Sequence, residues 1–275
     1  MFELGGLGAE SSPFYFAILD TQFSLRYTHI STLHMRLLIP MNPRQEQLLT
    51  AILKEYVGTA EPVSSGFLAE ATDMELSPAT IRNELAALEE QGYLHQPYTS
   101  AGRIPTEQAW RWYTKNLQQQ QELQKVKEKH VSEVIRAHRD TQSDLMRHLA
   151  KTIAHLAQET VLVGMNRNET YYTGLSNLFA HPEFEQMDMV QQMSKVIDRF
   201  DEVMNQMYDQ VEQDIVVLVG RDNPFSPECG AILARYRTRG HHGVIGILGP
   251  LRQDYDEHIA MIRYATRQLD NLLLE

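Results

Sequence analysis

The sequence predicts an α+β fold built from successive modules, and three observations predict it. Apolar residues recur at helical spacing in three runs between Pro43 and Gly92, and two short strand-like runs follow. A charged stretch then carries an intermittent helical stripe, and the last third mixes strand and helix patterns. At 275 residues the chain exceeds one average domain, which leaves material for two modules and sizeable cores.

Residues 1–40 mix Gly, Ser and aromatics without sustained periodicity, and the apolar Phe14–Leu19 run lacks the basic start of a signal peptide. This segment reads as an unassigned extension. Because Met41 directly precedes a clean helix pattern, Met41 or Met35 is the expected natural start.

From Pro43, a good first-turn residue, Leu48, Leu49, Ile52, Leu53 and Tyr56 mark a first helix that Gly58 is placed to stop. A second fits Ser64 to Ala71, with Phe67 and Leu68 packing inward. In the third, Ser77 is an N-cap, Pro78 suits the first turn, Ile81, Leu85 and Leu88 form one stripe, and Gly92 ends it. Tyr93–Pro97 and Arg103–Pro105 then read as two short strands around a Tyr98–Gly102 loop, before a helix from Thr106 to about Leu117. Three helices and a hairpin in this order make residues 41–117 a winged helix-turn-helix.

In such a module the third helix enters the major groove. At about 100° per residue, Ala79, Asn83 and Ala86 point away from the apolar stripe and Arg82 lies on the flank. Small residues let the backbone approach base edges, Asn83 suits adenine, and Arg82 suits guanine or phosphate. Ser77, Thr80 and the helix N-terminus are candidate phosphate contacts. Thr99, Ser100 and Arg103 in the wing would hold the backbone or minor groove, and Arg111 or Lys115 would add phosphate contacts. The plainer alternative has Ser77 only capping, Arg82 in a surface ion pair and Asn83 in water, with Arg103 guarding a strand edge. Element order and spacing favour the DNA-binding reading.

Residues 118–160 form linker or dimerisation helices: Leu123, Val126, Val131, Val134, Ile135, Leu145, Leu149, Ile153 and Leu156 make a stripe interrupted over Ala137–Asp144. The stripe serves equally as a dimer seam or as packing on its own domain, since no heptad persists. Gln118–Gln121 is the expected boundary. In residues 161–275, Met187–Val211 reads as one amphipathic helix whose methionines belong to the core, and Ile215–Val219 as a buried strand. Ala231–Tyr236 and Val244–Leu248 pair around a turn at Gly240–Gly243, and a last helix, capped by Asp254, runs from about Tyr255 to Leu274.

Composition narrows function. No apolar run approaches the roughly 20 residues of a membrane span, and the single Cys229 cannot form an internal disulfide, so no membrane association and a cytoplasmic setting are expected. Net charge is −11, and residues 41–117 carry six basic and ten acidic side chains. DNA contact must therefore come from a few placed cations. Adjacent His241 and His242 point in different directions and make no metal site, His138, His148 and His155 decorate a solvated helix, and Asp254, Tyr255 and Asp256 lack a nucleophile or phosphate loop beside them. Neither catalysis, metal nor cofactor is expected. A protein-docking module that does not use DNA is the rival reading, and an enzyme stands far behind it.

The stretches Pro62–Ser65, Ser77-Pro78-Ala79-Thr80-Ile81-Arg82-Asn83-Glu84-Leu85, Glu89–Leu94 and Gln96-Pro97-Tyr98-Thr99-Ser100-Ala101-Gly102-Arg103-Ile104-Pro105-Thr106 closely resemble the HrcA family of heat-inducible transcription repressors. The resemblance resumes at Gly174–Leu178, Pro182–Phe184 and Gly246–Tyr255. It implies a homodimer on an inverted-repeat operator upstream of chaperone genes, released on heat stress, and activity promoted by the GroE chaperonin. It also implies a GAF-like module in residues 161–275, in reduced form, because only Val161–Tyr172 separate Thr160 from Thr173. Leu251 and Gln253 stand where Thr and Met are usual in the family.

Overall fold

The computed structural model describes residues 41–117, 122–167, 169–211, 215–238 and 241–272; the readings for 1–40 and for the Gln118–Gln121 boundary lie outside them. Helix α1 (Pro43–Thr59) starts on a capping box, with Asn42 Oδ1 accepting from the Gln45 amide at 2.9 Å and the Gln45 side chain accepting from the Asn42 amide. Gly58 stays inside the helix. Ala60 terminates it instead, in the left-handed region at φ 55°, its amide bonded to Tyr56 O. Helix α2 (Ser65–Ala71) is capped by Ser64 and buries Leu68, but Phe67 remains 39% exposed. Adjacent positions sit about 100° apart, and a seven-residue helix has room for only one of them against its neighbour.

Helix α3 (Pro78–Glu90) is capped by Ser77 and buries Ile81, Leu85 and Leu88. After Gly92 (φ 86°), strands β1 (Leu94–His95) and β2 (Ile104–Pro105) pair antiparallel, and α4 (Glu107–Asn116) follows from its N-cap Thr106. The Thr106 hydroxyl also donates to Gly92 O at 2.7 Å, which ties the end of α3 to the start of α4. Beside this hairpin, Val63 and Arg103 exchange backbone hydrogen bonds of 2.9 and 2.8 Å. A Cβ on the intervening Gly102 would run into the carbonyl of Val63.

Helices α5 (Lys125–Ala137) and α6 (Gln142–Ala157) pack on each other and on later elements of the same chain. Val131, Ile135, Leu145, Met146, Leu149 and Ile153 are all buried there, so most of the stripe packs within the chain, while Val126 stays 67% exposed and Val134 and Leu156 are half-buried. The sheet comprises β3 (Thr160–Asn166), β4 (Glu169–Thr173), β5 (Val216–Val219), β6 (Cys229–Thr238) and β7 (His241–Pro250), antiparallel throughout in the order β4-β3-β7-β6-β5. The short interval after Thr160 is thus a hairpin that supplies two of the five strands. β5 lies at an edge and is half-buried over Val216–Leu218, not the buried strand its composition suggests. His241 and His242 belong to β7, opposite Thr238 and Arg237, and not to a turn.

Leu162, Ala231, Leu233, Val244 and Leu248 on one sheet face join a core with α7 (Leu175–Phe179), α8 (Met187–Ile197) and α9 (Phe200–Gln210). By alternation, Val161, Val163, Ile232 and Ile247 are buried on the other face, which is covered by α6 and α10 (Tyr255–Asn271). The Met187–Val211 segment is two helices, broken at Asp198–Arg199. A continuous helix would separate Met193 from Met207 by about 21 Å, whereas the break folds both into one core. Among the described residues no helix is long and apolar enough to cross a membrane.

Replacing Gly102 with Ala should destabilise the protein by about 1–3 kcal/mol, because the methyl group must displace backbone. Denaturant unfolding of G102A checks this, and an unchanged midpoint would contradict the close approach.

Candidate nucleic-acid interface

The one-sided burial of α3 decides what its other side presents. With Ile81 and Leu88 fully buried and Leu85 nearly so, Ala79, Arg82, Asn83 and Ala86 are exposed on the opposite surface. Among the described residues no carboxylate pairs with Arg82. The cap limits the helix N-terminus: Ser77 Oγ accepts from the Thr80 amide at 3.1 Å and lies 2.9 Å from Thr80 Oγ1, while the Ile81 amide bonds Ser77 O. Pro78 has no amide hydrogen, so Ala79 supplies the open first-turn donor.

Two carboxylates that flank this face, Glu84 and Glu89, are occupied internally, whereas Glu90 is exposed on the face itself. Glu84 receives Arg44 at 3.3 Å and the Gln45 side-chain amide at 3.1 Å. Glu89 accepts from the Gln96 amide at 2.9 Å and pairs with Arg103, also at 2.9 Å. The loop between β1 and β2 is held open by Gln96, whose Nε2 donates to Thr99 O and Ala101 O at 3.0 and 2.9 Å. This displays Tyr98, Thr99 and Ser100 to solvent. Gln96 was not singled out by sequence reasoning; a glutamine just before Pro97 at a turn entrance was the available signal.

The remaining candidates separate. Lys115 is exposed at the end of α4. Arg103 is largely covered, its side chain 14% exposed beside Glu89. Arg111 is held by Glu107, with Nε at 2.8 Å from Oε1, and by Asp222 in the turn after β5. Ser77, Ala79, Thr80, Arg82, Asn83 and Ala86 therefore share one helix face or its N-terminal end, Thr99 and Ser100 sit at the hairpin tip, and Arg103 and Arg111 are internally bonded.

Behind this surface lies a polar junction that sequence reasoning missed. Glu159, buried just before β3, accepts from His181 Nε2 at 3.1 Å. Burial raises its carboxyl above the usual range, and His181 and Arg252 pull it back. A Cβ at Gly249 would meet the Glu159 carboxylate at 2.6 Å, so glycine makes room for it. Arg252 pairs with Glu183 and donates Nη1–H to Val57 O, in the last turn of α1, at 2.8 Å. Gln253 is buried: its Nε2 donates to Gly230 O at 2.7 Å and its Oε1 lies 3.0 Å from His258 Nδ1, so it supplies partners to two buried polar groups.

The sequence model for the HrcA protein C terminal domain matches residues 107–259, more than half of the chain. The chain belongs to the HrcA family. Among curated relatives, the heat-inducible transcription repressor HrcA of Carboxydothermus hydrogenoformans is 24% identical, with 85% of this chain and 98% of that protein covered. The repressor of the same name from Pelotomaculum thermopropionicum is 49% identical over 88 residues, which cover 32% of this chain and 25% of that one. The family is one of transcription repressors, not enzymes. The Carboxydothermus alignment runs over 336 residues while 85% of these 275 take part, so about a hundred of the relative's residues have no counterpart here. A crystal structure described as a hypothetical protein is 18% identical with a TM-score of 0.65, covering 85% of this chain and 98% of that one, and shares the HrcA chain's fold.

Burial pushes the His258 imidazole down to about 4, and Asp254 opposes the shift. The native state then binds fewer protons than the unfolded chain between pH 6.5 and 4, so stability present above pH 6.5 is lost as pH falls. The expected loss is about 2 kcal/mol between pH 8 and pH 5. Denaturant unfolding across this range should show it in the wild type and a flatter profile in H258Q; parallel profiles would contradict it.

Proposed function

We propose that this HrcA-family chain is a DNA-binding repressor of heat-shock chaperone genes, acting in the cytoplasm as a homodimer on an inverted-repeat operator. Residues 41–117 are its winged helix-turn-helix, 118–160 its linker or dimerisation helices and 161–275 a reduced GAF-like effector and dimerisation module, in which we place the missing family residues. The observation that carries the reading is the arrangement of α3: an apolar face sunk in the module, and Ala79, Arg82, Asn83 and Ala86 in solvent opposite it.

Arg82 and Asn83 read bases, the small Ala79 and Ala86 let the helix sit deep in the major groove, and Ser77 and Thr80 border a phosphate through the Ala79 amide. Thr99 and Ser100 meet the backbone or minor groove, and Lys115 meets a phosphate. Arg103 and Arg111 reach phosphates only by giving up Glu89, or Glu107 and Asp222. Heat, or loss of the GroE chaperonin, loosens the C-terminal module, and dimer and operator affinity fall together because the two half-sites act through effective concentration.

The acidic balance of residues 41–117 favours the rival reading, a module that docks a partner protein. Mobility-shift assays on DNA upstream of chaperone operons separate the two. The wild type should bind, and R82A and N83A should each weaken binding by about 1–3 kcal/mol with fold and dimer intact. Binding unchanged in both variants would overturn the assignment of α3. The few free cations also predict a salt slope below that of ten phosphate contacts per dimer, and a steeper slope in a salt titration would contradict it.

A further inference from the structure

The helical module rests on the sheet module along a seam with two ends. At one end α4 supplies an apolar anchor: Trp110, 2% exposed, lies 5.9 Å from the Tyr255 ring. Polar contacts flank it, with the Tyr113 hydroxyl donating to Asp256, Arg111 paired with Asp222, and the Arg221 amide donating to Glu107 Oε1 at 3.1 Å. At the other end, among the described residues, Arg252 of the sheet module hydrogen-bonds α1. The last-turn carbonyls of a helix have no partner within it and carry the negative end of its dipole. Ala60 N–H satisfies Tyr56 O, and Arg252, 195 residues from Val57 in sequence, satisfies Val57 O with a charged donor. Glu183 and His181 orient the guanidinium, Nη2 lying 3.3 Å from Glu183 Oε2 and 3.4 Å from His181 Nδ1, and Glu159 holds His181 from the root of β3.

We propose that Arg252 is a positioning residue that caps α1 and fixes the angle at which the helical module leaves the sheet module. It thereby sets the half-site spacing that the dimer accepts. The inference rests on the DNA-binding reading above. With Trp110 as the pivot and Arg252 as the stay, removing the stay leaves α3 intact but lets its direction vary between the two protomers. A spacing change of three base pairs rotates one half-site by about 100°, which a rigid dimer cannot follow and a loosened one can.

The test uses full-length protein and three probes: an operator bound by the wild type, the same operator with its half-site spacing changed by three base pairs, and an isolated half-site. The wild type should prefer the native spacing at least tenfold. R252M, which keeps the apolar stem and loses the donors, should narrow that preference to within about threefold, with half-site affinity, dimer state and melting temperature close to wild type. R252K, which keeps one charged donor, should recover part of it. If R252M fails to fold, E183Q, which leaves Arg252 charged but less firmly oriented, should show a smaller narrowing. An unchanged spacing preference in the folded variants overturns the proposal while leaving the repressor reading standing. A wild type that binds none of the probes removes the repressor reading itself, and this proposal with it.

Discussion

Ile81, Leu85 and Leu88 leave α3 no rotational freedom, and the surface that α3 presents to solvent follows from that constraint. A helix with three consecutive stripe positions buried cannot turn about its axis without exposing apolar area worth several kcal/mol. Whatever stands away from them is presented to solvent, and here that is two alanines, an asparagine, Glu90 and, on the flank, an arginine with no ion-pair partner among the described residues. The cap at Ser77 and the Thr106 tie to Gly92 hold the two ends of the helix, so position along the axis is fixed as firmly as rotation about it.

The acidity of the protein looks different once its partners are counted. Glu84 and Glu89, which flank the exposed face of α3, are each engaged by a cation and by an amide of the same module, which leaves Glu90 as the carboxylate exposed on it. Their charge lends rigidity where it would otherwise repel a polyanion. A formal total describes the chain, whereas recognition depends on which few groups have no internal partner.

The helical module was legible because local rules determine it. Caps, proline at first turns, glycine stops and a 3.6-residue stripe act over a few residues, and α1 to α4 begin and end within a residue or two of where those rules put them. The rest depends on partners far away in sequence. The break at Asp198–Arg199 follows from a core that both halves must reach, and the half-exposed β5 follows from its edge position. Phe67 faces solvent although its hydrophobicity equals that of its neighbour Leu68, because packing space decided between them. The junction of Glu159, His181 and Arg252 has no periodicity to announce it.

The sheet carries a last consequence, for the order of assembly. β3 is a middle strand, and one of its two neighbours, β7, emerges during synthesis after every other strand of the described sheet, ahead of α10. Until β7 arrives, Val161 to Gly164 have an unpaired edge and the cover supplied by α10 is missing. The helices and hairpin of residues 41–117 pair within that stretch, and their contacts to Asp222, Arg252, Tyr255 and Asp256 form only once those later residues have emerged. A nascent chain therefore carries an open, sticky sheet edge until β7 has emerged and paired.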